Sequence, residues 1–254
     1  MPIITQPGEI ELEMVDAESA NPEVIQILKD LVEKPPGLEH LAGIDRVHIV
    51  QATELAEIFL GWETNNKYSI RNSRGEEIYY AFEDTDCCER QCCGGRDRGF
   101  TIHVVDTMNR EVMVISRSCM YTASTCWSLI CCGLCVHEVI VEDPLGNLIG
   151  TIRQRCRGCT YDYVIMNHEN TPILQLDGSC YFFPTCCDAM YNIKTMSGED
   201  VGLITKDWSG FIQEMFTDAD NFGVSFPVDM DTKTKATLLG ATFLIDFMMF
   251  ETAG

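Results

Sequence analysis

The chain has 254 residues, of which 46% are hydrophobic and 22% are charged, and its formal net charge is −21. This composition is typical of a folded domain rather than a disordered chain. The acidic excess argues against binding to a nucleic-acid backbone, which takes clustered Lys and Arg, and against direct electrostatic adhesion to an anionic membrane.

Residues 1–34 contain eight acidic residues and two lysines, and we predict that they are separate from a single domain at 35–254. Asn21 and Pro22 are typical of a helix start. The apolar residues that follow share one helical face: Val24, Ile25, Leu28, Leu31 and Val32. We therefore expect a short amphipathic helix at 22–34, which either packs against the domain or binds a partner protein. The chain does not open with a basic stretch followed by an apolar one, so no secretory signal peptide is expected.

From residue 44 onward the apolar side chains alternate with a period of two, which predicts β-strands joined by Gly- and Asn-containing turns. Their regular spacing indicates an all-β meander, either a barrel or a sandwich. The predicted strands are Arg46–Gln51, Lys67–Asn72, Glu77–Glu83, Phe100–Asp106, Glu111–Arg117, His137–Glu142, Leu148–Gln154, Tyr161–Asn167, Ile173–Gly178, Tyr191–Thr195, Val201–Lys206 and Asn221–Asp229.

The last predicted element is a helix, Ala236–Phe250, that is apolar on nearly every side. At 1.5 Å per residue it would extend about 22 Å, which is short of a hydrocarbon core of about 30 Å. Asp246 near its middle would add an energetic cost in lipid. We therefore expect this helix to be buried in the protein, as the core around which the strands fold.

Fourteen cysteines occur in a chain without a recognisable secretory signal, so structural disulfides are not expected. Cys131, Cys132 and Cys135 lie in an apolar stretch that suits thioester acylation, and several clustered acyl chains would anchor a protein better than one. The alternative is that these thiols are buried and inert.

A structural zinc is a competing interpretation of other cysteines. Cys156 and Cys159 have ligand-like spacing, and Cys186 and Cys187 could complete four sulfur ligands. Adjacent cysteines are poor chelators, however, because neighbouring side chains on an extended backbone point apart.

Residues 218–229 resemble a calcium loop in part, since Asp occupies positions 1, 3 and 12 and Gly occupies position 6. The apolar alternation of Phe222 and Val224 instead indicates a half-buried strand, which cannot coil around an ion. A weaker form of the same hypothesis is calcium binding by Asp218 and Asp220 at the entrance to that strand.

Arg153, Arg155 and Arg157 would lie on one face of a strand and form a basic stripe. Either this face is simply solvated, or it contacts anionic lipid headgroups. No set of residues typical of a catalytic site occurs, because the histidines are scattered and lie near no known catalytic motif, so we do not expect a metabolic enzyme.

Several longer motifs resemble those of the phospholipid scramblases, and the resemblance runs through residues 35–252 in unbroken order. The motifs are Pro35-Pro36-Gly37-Leu38-Glu39, Glu63-Thr64-Asn65-Asn66-Lys67-Tyr68, Glu83-Asp84-Thr85-Asp86-Cys87-Cys88, Phe216-Thr217-Asp218-Ala219-Asp220-Asn221-Phe222-Gly223 and Phe243-Leu244-Ile245-Asp246-Phe247.

This resemblance implies a tubby-like fold, in which twelve strands form a closed barrel around the hydrophobic C-terminal helix. It also implies acylation at Cys131, Cys132 and Cys135, attachment to the cytoplasmic face of a membrane such as the plasma membrane, and calcium-responsive, ATP-independent movement of phospholipids between leaflets. Contact with anionic lipids would be mediated by calcium. The calcium ligands implied by position are Asp218, Asp220 and Asp229, with backbone oxygens of Phe222 and Val224.

The chain departs from the family pattern in two places. An acidic segment stands where larger members have a proline-rich arm, and the cysteine cluster is sparser. A headgroup also needs a polar path across lipid, which one short helix with a single Asp does not offer. Several chains would have to assemble into a homo-oligomer, or the barrel would have to distort the bilayer from one side. The alternative is a membrane-tethered adaptor that binds lipid or protein without transporting either.

Overall fold

The computed structural model of this protein describes residues 36–51, 66–84, 98–118, 137–157, 160–178, 190–206 and 221–249. Within these ranges the side chains at 156, 157, 160, 161 and 249 are not described. The amphipathic helix expected at 22–34 and the boundary at residue 35 lie outside these ranges, and both stay predictions.

Twelve antiparallel strands form a closed barrel in simple up-and-down order. The ring closes because the first strand pairs with both the second and the last, so that Ile49 lies between Ile70 and Phe222. The strands are β1 (Arg46–Gln51), β2 (Lys67–Asn72), β3 (Glu77–Glu83), β4 (Phe100–Asp106), β5 (Glu111–Arg117), β6 (Glu138–Glu142), β7 (Leu148–Arg157), β8 (Thr160–Asn167), β9 (Pro172–Asp177), β10 (Met190–Thr195), β11 (Asp200–Lys206) and β12 (Asn221–Ser225).

The predicted barrel is confirmed, and most predicted strand bounds agree with the structure to within one or two residues. The largest difference is β12, which ends at Ser225 rather than at Asp229. The Phe226 amide donates to the carbonyl of Asp45 at 2.9 Å, and Pro227 then starts a turn that the Met230 amide closes at 3.1 Å. Because proline has no N–H to donate, the strand cannot continue through it.

One helix, α1 (Thr232–Met249), fills the barrel, as expected. Its side chains from Lys235 to Met248 are buried on every side. Gly240 permits the close approach to the sheet, since a Cβ there would lie 2.8 Å from Val141 Cγ2. The helix begins one turn earlier than predicted because the carboxylate of Asp231 caps it, accepting the Thr234 amide at 3.1 Å.

One rim of the barrel, which we call the turn rim, consists of five tight hairpin turns and the connection from β12 to α1. The five turns are alike. In each turn, the backbone amide of the residue three further on donates to the carbonyl of the first residue. A one-residue register shift lies next to each turn. The residue three further on has positive φ in every case: Gly75, Asn109, Gly146, Asn170 and Gly198.

Lys235 ties the start of α1 to the turn rim. Its side chain is 0% exposed, and its ammonium donates to the carbonyls of Leu41, Ile44 and Val228 at 3.1, 2.8 and 2.8 Å. Leu41 ends a short 3-10 helix, Leu38–Leu41, that packs into this end of the barrel. Burial lowers the pKa of Lys235, and the carboxylates of Asp229, Asp231 and Asp45 oppose that shift.

We predict that Gly146→Ala lowers the free energy of unfolding by about 1 kcal/mol, measured by urea denaturation. Gly146 has φ of +82° with no atom within 4 Å of a built Cβ, so the loss comes from backbone strain rather than from a clash. Leu145→Ala in the same turn is the control, and it should stay within about 0.5 kcal/mol because that side chain is 87% exposed. Equal effects of the two changes would contradict this account.

We also predict that Lys235→Met lowers the free energy of unfolding by about 3 kcal/mol, because three buried or part-buried carbonyls lose their donor. Lys233→Met, two residues away and only half-buried, serves as the control and should change it by less than about 0.5 kcal/mol. The measurement is again urea denaturation of the full chain. A loss no larger than that of the control would show that Lys235 does not fix the helix.

Candidate membrane-facing rim

The connections that contain cysteines start and end at one rim of the barrel, opposite the turn rim. At this rim, which we call the cysteine rim, the odd-numbered strands end and the following strands begin. Thirteen of the cysteines fall in sequence between such a strand end and the next strand, and Cys156 is the last residue but one of β7. Any chemistry carried by these thiols is therefore rooted at one end of the barrel.

Cys131, Cys132 and Cys135, the predicted acylation sites, lie outside the described residues. Their connection leaves β5 after Arg117 and returns to β6 at Glu138, and both of these residues are at the cysteine rim. Acylation at these positions stays a prediction.

The predicted calcium ligands are spread along β12. Asp218 and Asp220 lie outside the described residues, just before β12 begins at the cysteine rim. Phe222 and Val224 are buried, with 3% and 0% exposure, in a strand paired on both sides. Asp229 is exposed at the turn rim, beyond a 5-residue strand that extends about 16 Å. With β12 extended, one ion bound at Asp218 and Asp220 would not reach Asp229. Calcium binding stays a prediction, and this geometry favours its weaker form.

The predicted arginine stripe lies on β7, which includes all three positions. Arg153 donates to the Glu138 carboxylate at 2.5 Å, and Arg155 donates to the Gln175 side-chain oxygen at 3.1 Å. The side chain of Arg157 is not described. Headgroup contact by this stripe stays a prediction, and for Arg153 it would compete with an ion pair.

The alternative zinc site also involves side chains that the structure does not describe, at Cys156, Cys159, Cys186 and Cys187. Within the described ranges, no group of three or more His, Cys, Asp or Glu side chains is arranged to hold a metal ion.

A buried ionic cluster lies just beneath the cysteine rim. The Glu83 side chain is 0% exposed and accepts hydrogen bonds from Arg98 at 2.5 Å and from the Asn66 amide group at 2.7 Å. Asn66 in turn accepts from Gln51 at 3.2 Å. Arg117, also buried, donates to the carbonyl of Arg98 at 3.1 Å. Two guanidinium groups and a carboxylate are thus held together at the top of the core.

The cluster contacts the last turns of α1. The Arg98 guanidinium lies 4.6 Å from the ring centre of Phe247, a cation–π distance. Arg117 donates to the sulfur of Met248 at 3.2 Å. In the residue before Phe247, the buried carboxylate of Asp246 accepts a hydrogen bond from the hydroxyl of Tyr68 at 3.2 Å. Asp246, the charged residue that argued against a membrane-spanning helix, is therefore a hydrogen-bonded residue of the core.

Residues at the edges of two cysteine-bearing connections belong to this cluster. Glu83 precedes and Arg98 follows residues 85–97, and Arg117 precedes residues 119–136. These connections are consequently anchored, at their described ends, to the C-terminal turns of the helix. A displacement of Arg98 or Arg117 at these ends would therefore act on α1 directly.

Sequence reasoning did not identify this cluster, although the signal was present. Glu83 and Arg117 are in phase with buried apolar positions two and four residues earlier in their strands, so period-two alternation places both inside the barrel. Because charged residues at strand ends are usually solvated, the alternation is not by itself evidence that Glu83 and Arg117 face inward. Both strands are neighbours of β4, and the contacts of their last residues with α1 appear only in the folded barrel.

The interior of the barrel is occupied by α1 and not by a channel, so the described fold has no lumen through which a lipid could pass. Among the described residues, no helix is both long enough and apolar enough to span a bilayer.

Comparison with known proteins places this arrangement in a protein family. Residues 25–252 match the Scramblase family. The chain is 45% identical over 221 residues to phospholipid scramblase 1 of Mus musculus, and 44% identical over 218 residues to phospholipid scramblase 2 of Bos taurus. These alignments cover 87% and 85% of the chain, with 65% of the mouse protein and 72% of the bovine one.

The chain thus spans slightly less than two thirds of the mouse relative. A solved structure of a protein from Arabidopsis thaliana shares 11% identity, with a TM-score of 0.42 over 82% of this chain and 96% of that one. The family match over residues 25–252, together with the relatives above 40% identity, shows that this chain belongs to the scramblase family.

Proposed function

We propose that the protein moves phospholipids between the leaflets of a bilayer without ATP, as a lipid translocator rather than a metabolic enzyme. The observation that carries this proposal is the family match, which extends through every strand of the barrel and through α1. The proposed location is the cytoplasmic face of a membrane, with attachment at the cysteine rim through acylated Cys131, Cys132 and Cys135.

The lipid path in this proposal lies outside the barrel. Because α1 fills the interior and is held at both ends, by Lys235 and by the Glu83–Arg98–Arg117 cluster, a lipid has no route through the core. Transport then takes place at the protein–bilayer boundary. Either several copies assemble there, or the attached barrel distorts the leaflet that it contacts.

We propose that calcium acts at Asp218 and Asp220, which precede β12 at the rim that faces the membrane. Carboxylate oxygens are preferred calcium ligands, and lipid phosphates could complete the coordination. Such a bridge would let a protein of net charge −21 approach anionic lipids that otherwise repel it. Asp229, at the opposite rim, is not part of this site.

A second candidate is a membrane-tethered adaptor without transport activity. It is favoured by the filled barrel and by the absence of a membrane-spanning helix among the described residues. In this case, a protein partner would bind the amphipathic segment predicted at residues 22–34.

Reconstitution into liposomes tests the first proposal. We expect purified protein to equilibrate a headgroup-labelled phospholipid between leaflets when calcium is added, and Asp218→Asn to lower that rate at least tenfold because one carboxylate ligand is lost. The readout is the fraction of label accessible to a membrane-impermeant quencher.

Asp229→Asn is the matched control and should leave the rate unchanged. Equal losses in the two variants would instead support a site that includes Asp229. Rates independent of calcium would remove calcium from the mechanism. Inert liposomes would favour the adaptor.

Loosening α1 tests whether the filled barrel is the active form. Glu83→Gln removes the carboxylate charge from a buried ion pair, and we expect it to lower the free energy of unfolding by about 3 kcal/mol and to reduce the leaflet-exchange rate in parallel. Glu76→Gln is the control. The pair of Glu76 with Arg74 is exposed to solvent, so its loss should change the stability much less than the loss of the Glu83 pair. A higher exchange rate in Glu83→Gln would show that α1 has to leave the barrel for lipid to move.

A further inference from the structure

The turn rim carries exposed apolar side chains at the tips of its connections. Leu145 and Met108 are 87% and 73% exposed, and Val228 and Met196 are 54% and 48% exposed. They belong to four different connections around the ring: β6–β7, β4–β5, β12–α1 and β10–β11. Four of the five exposed large apolar side chains among the described residues thus lie at this rim.

The backbone at two of these tips is already satisfied within its own turn. The Leu145 amide donates to the Asp143 carboxylate at 2.9 Å, and the Met108 amide donates to the Asp106 carboxylate at 2.9 Å. Each of these carboxylates also accepts the amide two residues further on. Because these amides are already paired, they would not become unpaired donors if the tips entered an apolar medium. Unpaired backbone groups are the main obstacle for irregular chain in lipid.

The arrangement of the tips fits a plane better than a groove. A ring of twelve strands spaced 4.8 Å apart and tilted is about 20–25 Å wide, and the four tips are distributed around it. A bilayer surface can contact all of them at once.

The charges of the turn rim determine which lipid headgroups it would favour. Acidic residues outnumber basic ones among its connections, and Arg110 and Arg74 are already paired with Asp106 and Glu76. Such a surface is repelled by anionic lipids and is complementary to the outermost ammonium groups of zwitterionic phospholipids.

We infer that the turn rim is a second lipid-binding surface, which inserts Leu145, Met108, Val228 and Met196 into the interfacial region of a zwitterionic bilayer. It lies opposite the cysteine rim and needs neither acylation nor calcium. This contact is separate from the proposed transport activity. A protein attached through its cysteine rim presents this surface to a second bilayer.

Flotation of the unacylated full-length chain with phosphatidylcholine vesicles, in calcium-free buffer, tests this inference. We expect the wild type to bind and the double variant Leu145→Ser/Met108→Ser to bind about a hundredfold more weakly, which is about tenfold for each side chain withdrawn from the interface. Adding phosphatidylserine to the vesicles should weaken binding of the wild type.

Two further variants make the test specific. Met190→Ser alters a methionine at the cysteine rim that is 47% exposed, close to the 48% of Met196, and it should bind within twofold of the wild type. Glu169→Leu places an apolar residue at the turn position that Leu145 and Met108 occupy in their own turns, and it should strengthen binding several-fold. This gain does not depend on the folding of the serine variants.

Three outcomes would overturn the inference: no binding of the wild type to phosphatidylcholine, equal losses in Met190→Ser and the double variant, or no gain in Glu169→Leu. Tip-dependent binding of a basic amphipathic peptide, without vesicle binding, would show that the rim is a protein-docking surface instead. Because leaflet exchange is not measured, failure here leaves the proposed transport function untouched.

Discussion

The occupation of the barrel by α1 is the constraint on which the rest of the structure depends. A ring of twelve strands leaves an interior wide enough for a helix, and an empty one of that width would lose the dispersion contacts that stabilise a protein core. Side chains from all twelve strands and from α1 form one continuous apolar cluster. The helix is thus the core of the domain, and a function that uses it in another role would first have to dismantle that core.

The two ends of the helix are fixed by different chemistry, and each end belongs to a different rim. Near the turn rim, Lys235 donates to three backbone carbonyls. Near the cysteine rim, aromatic and ionic contacts from Arg98 and Arg117 hold Phe247 and Met248. Only the second set is covalently continuous with the cysteine-bearing connections. The described ends of two cysteine-bearing connections therefore contact the C-terminal turns of the helix.

The up-and-down topology gives the protein two chemically different ends. Long, cysteine-bearing connections begin at one rim, and short turns with internally satisfied backbone form the other. The chain therefore has two chemically different rims, one where the cysteine-bearing connections start and end and one that carries exposed apolar side chains.

By itself the sequence determined the strands, the apolar helix and the family, because these depend on local periodicity and on contiguous motifs. The end of β12 was mispredicted because the apolar alternation continues to Val228, whereas the pairing with β1 stops at Ser225. Tertiary structure alone decided that Glu83 and Arg117 approach α1 and that Asp229 is remote from the start of β12. Each of these depends on which strands become neighbours in a closed ring, and that information is carried by long-range pairing rather than by any local pattern.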